Sequence, residues 1–255
     1  MWDPQQYERF RAERSRPFFD LLARIPDRSY HAVTDLGCGT GDLTATLADH
    51  WPDARVLGVD SSPEMLAAAS RYAISDKVDF TPGDITTWRP GSPQDLIVSN
   101  AAFQWISRVP DLVRHVTGYL APKGVLAVQM PDNSSSPSQI LLREIESSGP
   151  WADALRGRPR QDAVPPLSAY LELLWAEGLE TDAWECTYLH LLQGEDAVLE
   201  WMKGTTLRPI LKVLSEGDRE EFLARYGGSL ATAYPRGPAG TLFPFRRLFF
   251  VARRR

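Results

Sequence analysis

The 255-residue sequence predicts an α/β fold, a mostly parallel sheet of seven strands with helices on both faces. Three observations carry this prediction. Short apolar runs alternate with helix-like runs between residues 32 and 131, the pattern of βαβ units whose crossovers cover a parallel sheet. Glycines at positions 37, 39 and 41 sit between the first apolar run and the helix that follows it. Two strand-like runs come late, at residues 181–192 and 241–254. They can pair antiparallel at one end of the parallel sheet.

The elements follow in order. "AVTDLG" reads as a short buried strand, and a helix follows from about Asp42 to Asp49. "RVLGVD" is the second strand, with a helix opening near Pro63 and running through "EMLAAAS". "VDFTPG" is the third strand and "DLIVSN" the fourth, followed by a helix over Pro110 to Leu120. "GVLAVQMP" is the fifth. Residues 133–166 are rich in Ser, Pro and Gly and read as an interrupted helical segment or a loop. "LSAYLELLWAEGL" is helical, "TDAWECTYLHLL" and "TLFPFRRLFFVARR" are strand-like, and helices lie near 195–203 and 216–226. One domain over 1–255 is expected, with 133–166 and 191–240 as helical and loop cover over the C-terminal strand ends, where ligands of open α/β sheets bind.

Composition narrows the function. Hydrophobic residues make up 43% and charged residues 24%, ordinary for a globular enzyme. The net charge of −5 argues against general affinity for nucleic acid or an anionic membrane. Cys38 and Cys186 give neither a disulfide framework nor metal-ligand spacing, which fits a reducing compartment. The opening "MWDPQQYERFRAERSRP" is too charged for a signal peptide. No apolar run approaches the ~20 residues that span a bilayer. A cytoplasmic location, no metal and no evident protein partner are expected.

A glycine loop after a strand and before a helix reads as a nucleotide-cofactor site, because bare backbone admits a ligand closely; a tight βα turn with no ligand is the alternative. The dinucleotide fingerprint G-x-G-x-x-G would put its third glycine at position 42, but that residue is Asp42. Asp35 and Asp42 flank the loop and would repel a pyrophosphate. They suit a cationic ligand without phosphate.

"DLGCGTG" resembles the first motif of class I S-adenosylmethionine (SAM)-dependent methyltransferases. The resemblance implies their Rossmann-like fold and SAM as cofactor. It implies that Asp35, Gly37, Gly39 and Gly41 surround the methionine part of SAM. Asp60 and Ser61 would hold the ribose, and Met65, Asp84 and Ile85 the adenine. Asn100 and Ala101 would lie beneath the sulfonium. Alternatives stay open: Asp60 can cap the helix at "SSPE", Asp84 can be a turn residue, and Met65 can be core.

Members of this class that methylate amino groups of bases or glutamine carry Asn-Pro-Pro-aromatic after the fourth strand, where this chain reads "SNAAFQW". A small-molecule acceptor is therefore expected. The segments "MWDPQQYERFRAERSRP", "SNAAFQWI", "LAVQMPDN", "TTLRP" and "FRRLFFVAR" together are similar to the trans-aconitate 2-methyltransferase family. In "FRRLF" the expected proline before the last arginine is missing, so Arg247 rather than Arg246 is the match. The resemblance implies a monomethyl ester of trans-aconitate as product. The residues also leave open another small acid, or a SAM-binding module without transfer activity.

No paired acids, metal cluster or Ser/His/Asp arrangement stands out, so no catalytic side chain is expected. A carboxylate acceptor has a pKa of ~4 and is already ionised at neutral pH. A polycarboxylate needs cationic anchors instead, best supplied by the bidentate fork of arginine. The candidates are Arg14, Arg16, Arg208 and Arg247, with Arg14 or Arg16 alternatively holding the SAM carboxylate. Tyr7, Gln129, Tyr188, His190 and Trp201 are the remaining polar candidates. His190 can instead be structural, and Trp105 can wall the acceptor pocket or belong to the core.

Overall fold

Apolar β-branched runs form the strands, and turn residues separate them. The computed structural model describes residues 11–106, 108–157, 164–204 and 206–255, with backbone alone for 11–14. The strands are β1 (Ala32–Leu36), β2 (Arg55–Asp60), β3 (Val78–Pro82), β4 (Gln94–Asn100), β5 (Leu120–Pro131), β6 (Leu179–Leu192), β7 (Arg236–Gly237) and β8 (Gly240–Arg254). The sheet order is β3-β2-β1-β4-β5-β8-β6, with β7 against β8. β1 pairs parallel with β2 and β4, β2 with β3, and β4 with β5. β8 runs antiparallel to β5, Gln129 opposite Phe249 and Pro131 opposite Arg247. The α/β class and the seven-strand path hold; the two-residue β7 adds a hairpin that the sequence pattern does not display.

The helices are α1 (Arg11–Leu22), α2 (Asp42–His50), α3 (Pro63–Ala69), α4 (Val109–Thr117), α5 (Pro137–Ser148), α6 (Ala152–Leu155), α7 (Leu167–Ala176), α8 (Ala197–Lys203), α9 (Arg208–Leu211) and α10 (Glu216–Ala233). The helix expected through Leu120 stops at Thr117, and Leu120 already belongs to β5. The stretch after Asn133 is interrupted helix, α5 and then α6.

The chain divides into two compact units. One is built from the described residues within 14–131, 161–186 and 247–255. Its core joins strand residues Leu36, Val59, Ile97, Leu126 and Phe250 to Val113 and Val116 of α4 and Leu174 of α7. Val109, Leu112, Val113 and Val116 are buried on α4, the i, i+3, i+4, i+7 stripe of a helix facing a core. The second unit is built from the described residues within 132–160 and 187–246. Trp151, Trp201, Phe222, Tyr226 and Phe243 fill its centre. There the Tyr226 hydroxyl donates to the Ser138 carbonyl at 2.8 Å, and Ser138 N donates to the Tyr234 hydroxyl at 3.1 Å. Among the described residues no helix is long and apolar enough to cross a membrane.

Candidate active site

In the sheet-bearing unit, the C-terminal ends of β1, β2 and β4 meet at the glycine loop. Gly37 N donates to the Val59 carbonyl at 2.8 Å, which ties the loop to the end of β2. Gly37 takes φ +81°, and a Cβ there would stand 2.3 Å from the Ala102 Cβ. Only glycine allows the loop and the turn after β4 to come this close. Gly39 also has positive φ, +54°, yet a Cβ there would meet nothing within 4 Å. Its backbone borders open space, and a ligand can approach it.

Asp60 ends β2 and is held from two sides. Its Oδ2 accepts from Gly39 N and its Oδ1 from Ser62 N, each at 2.9 Å. The carboxylate is therefore fixed against the loop, with lone pairs remaining on both oxygens. The cap of α3 is Ser62, whose Oγ accepts from Met65 N at 3.3 Å; the alternative that Asp60 caps this helix is corrected. "SSPE" already carried that signal, a serine before a proline at the first helical position. Ser61 is exposed between the two, and Met65 is half-buried on α3.

Asp35 lies beneath the loop, buried, its Oδ2 accepting from Thr44 Oγ1 at 2.6 Å. Burial pushes its carboxyl up to about 6, against the lowering effect of Thr44, and the neighbouring Asp60 and Asp42 push the same way. Burial likewise raises the Cys38 thiol, with Asp35 and Asp60 adding to it, so that sulfur is no nucleophile. Asp84 is exposed after β3, its Oδ1 accepting from Thr86 Oγ1 at 2.7 Å and Thr86 N at 2.8 Å. Those two bonds hold its pKa below the ordinary carboxylate value and brace the turn after β3, a role that leaves Asp84 Oδ2 for a ligand. Ile85 packs on the core of this unit.

The end of β4 carries Asn100 and Ala101. Asn100 Oδ1 is fully buried and has no hydrogen-bond partner among the described residues. Ala101 takes φ +54°, a conformation strained for any residue with a Cβ. Trp105 is 68% exposed, so it is not part of the core. On β5, Gln129 is fully buried and its Oε1 accepts from Arg247 Nη1 at 3.1 Å. One arginine anchor candidate and one of the other polar candidates thus meet. Arg16 is exposed, its Nε 3.8 Å from Asp20 Oδ2.

In the second unit, Tyr188, His190 and Trp201 meet in one aromatic stack. The His190 ring lies 5.0 Å from Trp201 and 6.3 Å from Tyr188, centroid to centroid, with near-parallel planes. Arg208 opens α9, half-buried, and no salt bridge to it occurs among the described residues. Tyr7 and the Arg14 side chain lie outside the described residues. Among the described residues no cluster of His, Cys, Asp or Glu could hold a metal. Sequence reasoning assigned no role to Thr44, Ala102 or Gln104; their part depends on what they touch.

A family model described as "Methyltransferase domain" matches residues 33–124. A trans-aconitate 2-methyltransferase of Streptomyces avermitilis is 51% identical over 258 residues, covering 98% of this chain and 96% of that protein. The trans-aconitate 2-methyltransferase of Escherichia coli strain 55989 is 43% identical over 254 residues, covering 99% and 98%. Among solved structures, the YcgJ protein from Bacillus subtilis superposes with TM-score 0.60 at 18% identity, covering 93% of this chain and 97% of that one. Phosphoethanolamine N-methyltransferase 2 of Haemonchus contortus, in complex with SAM, gives TM-score 0.57 at 19% identity, covering 94% and 52%.

Proposed function

The chain belongs to the trans-aconitate 2-methyltransferase family, and on that premise we propose that it methylates a carboxylate of trans-aconitate to a monomethyl ester. The observation that carries this reading is identity of 43–51% to such enzymes along nearly the whole chain. The residues present fit SAM. Gly39 borders open space, Asp60 offers a fixed carboxylate, and the orphaned Asn100 Oδ1 is an acceptor that a donor or cation would satisfy.

When bound, SAM supplies an electrophilic methyl group on a sulfonium and is converted to S-adenosylhomocysteine. Asp60 and Ser61 hold the ribose; Met65, Asp84 and Ile85 border the adenine. Asp35, Gly37, Gly39 and Gly41 form the methionine side, with Asn100 and Ala101 beneath the sulfonium. Arg208 and Arg247, with Gln129, are the anchors for the acid, assisted by Tyr7, Arg14, Arg16, Trp105, Tyr188, His190 and Trp201. The anchors grip the carboxylates that do not react, because gripping the nucleophile would stabilise the ground state. No residue removes a proton, since the acceptor is already ionised. Orientation supplies much of the rate, up to roughly 7–11 kcal/mol for a well-placed pair.

Turnover of a panel of small di- and tricarboxylates with SAM, followed by mass detection of the ester, tests this. Methylation of trans-aconitate with the highest kcat/KM is expected. A higher kcat/KM on another acid moves the acceptor, and SAM binding with no product on any acid removes the transfer activity.

A further inference from the structure

The turn after β4 holds backbone strain at a residue that carries a Cβ. Ala101 is one of four non-glycine residues with positive φ, beside Asp76, Lys123 and Asp196, among the described residues. It alone of these stands at a strand end that borders the glycine loop. Left-handed φ at alanine survives only where neighbours enforce it. Two hydrogen bonds do so here. Ala101 N donates to the Gln129 carbonyl of β5 at 2.9 Å. The Ala101 carbonyl accepts from Gln104 Nε2 at 2.7 Å. Ala102, next in the chain, occupies the space that a side chain at Gly37 would need.

Gln104 is polar yet only 5% exposed, and its Oε1 has no partner among the described residues. Burying a carboxamide with half its capacity unused costs stability, so packing alone does not explain glutamine here. Phe103 beside it is fully buried in the core and pins the short 3-10 turn Phe103–Trp105. That turn gives Gln104 a rigid base from which to reach back three residues.

We propose that Gln104 is a positioning residue, whose carboxamide locks the left-handed turn at Ala101 and sets the end of β4 against the glycine loop in the geometry that methyl transfer uses. This rests on the methyltransferase reading only for its effect on rate; the lock itself is a property of the chain alone. The carboxamide bonds the backbone on one side of the turn, and the β5 carbonyl bonds it on the other. With both bonds the strained conformer prevails. Without the first, Ala101 relaxes toward negative φ and carries the Asn100 side chain with it.

Gln104→Leu keeps the volume and removes the bond. Hydrogen exchange at the Ala101 amide, measured without ligand, should accelerate at least about tenfold, while amides in β1 and β2 keep wild-type protection. With trans-aconitate and SAM, kcat should fall at least about tenfold, and KM for the acid should change less than about threefold. Ala101→Gly supplies the second background, because glycine adopts φ +54° without the lock. The kcat loss caused by Gln104→Leu in that background should be less than about a third of its loss in wild type. Wild-type exchange at Ala101 in Gln104→Leu overturns the proposal, as does an equal kcat loss in both backgrounds. If Gln104→Leu unfolds, Gln104→Met replaces it under the same criteria. A wild-type enzyme inactive on trans-aconitate would sink the acceptor assignment instead, and the exchange result would still decide the lock.

Discussion

At the scale of single residues, Asp60, Asp35 and Arg208 carry separable predictions. Asp60 braces the loop through Gly39 N, and the proposed ribose contact would give its carboxylate a second role. Asp60→Ala should weaken SAM binding by roughly 1.5–3 kcal/mol, the scale of lost charged hydrogen bonds, as read by calorimetric titration of a folded variant. Unchanged affinity would remove Asp60 from the site. Asp35 is a buried acid whose carboxyl sits near 6 rather than 3.8. The native state therefore holds this proton more tightly than the unfolded chain does. The group costs about 3 kcal/mol above pH ~6, and the cost fades as pH falls toward ~4. Asp35→Asn should melt higher than wild type at pH 8 and show no gain at pH 4, in scanning calorimetry. A lower melting temperature at both pH values would make the carboxylate itself structural. For Arg208, lysine preserves charge and loses the planar fork. Arg208→Lys should cut trans-aconitate turnover at least about tenfold without changing SAM affinity. Arg208→Met should cost roughly 2–5 kcal/mol in kcat/KM, as truncated buried charge pairs do. Equal losses on a tricarboxylate and a dicarboxylate lacking the anchored group, or none on either, would end the anchor hypothesis.

At the scale of elements, the glycine loop separates two roles that one motif hides. Gly37 is glycine because Ala102 fills the space beside it, whereas Gly39 faces open space. Gly37→Ala combines left-handed strain with a clash and should destabilise the fold by roughly 2–4 kcal/mol, summing the usual strain and overpacking costs. Gly39→Ala meets no protein atom and should cost only about 1–2 kcal/mol of fold stability. It should weaken SAM binding in greater proportion. Urea melts beside SAM titrations distinguish the pair; equal destabilisation by both would contradict the assignment. The strands and helices of the sheet-bearing unit were legible because alternation and turn chemistry act over a few residues. The two-residue β7 was not, because a strand of that length is defined by its partner β8 rather than by its own pattern.

At the scale of the whole molecule, the chain is net negative and a tricarboxylate is a trianion at neutral pH. Long-range attraction therefore cannot collect the substrate, and local arginines must. The same chemistry predicts the pH profile. With acceptor and SAM saturating, the single-turnover rate should be nearly flat from about pH 6 to 9, because no group titrating there takes a proton from the acceptor. A rate rising tenfold per pH unit in rapid-quench experiments would demand a general base.

By itself the sequence determined the α/β class, the first five strands along the chain and a cationic ligand without phosphate, which the family resemblance of "DLGCGTG" turned into SAM. Periodicity, glycine spacing and the aspartates at 35 and 42 are local signals, and local signals survive without coordinates. Only the tertiary structure decided which polar residues are buried and what they touch. Gln129 and Arg247 are 118 positions apart and share one hydrogen bond. His190 stacks on Trp201 from another element. Trp105 is exposed although its composition suited a core. Gln104 is one letter of "SNAAFQW", and its reach to the Ala101 carbonyl exists only where the backbone bends. Burial and hydrogen bonding sum over neighbours brought together by the fold, so no window of sequence contains them.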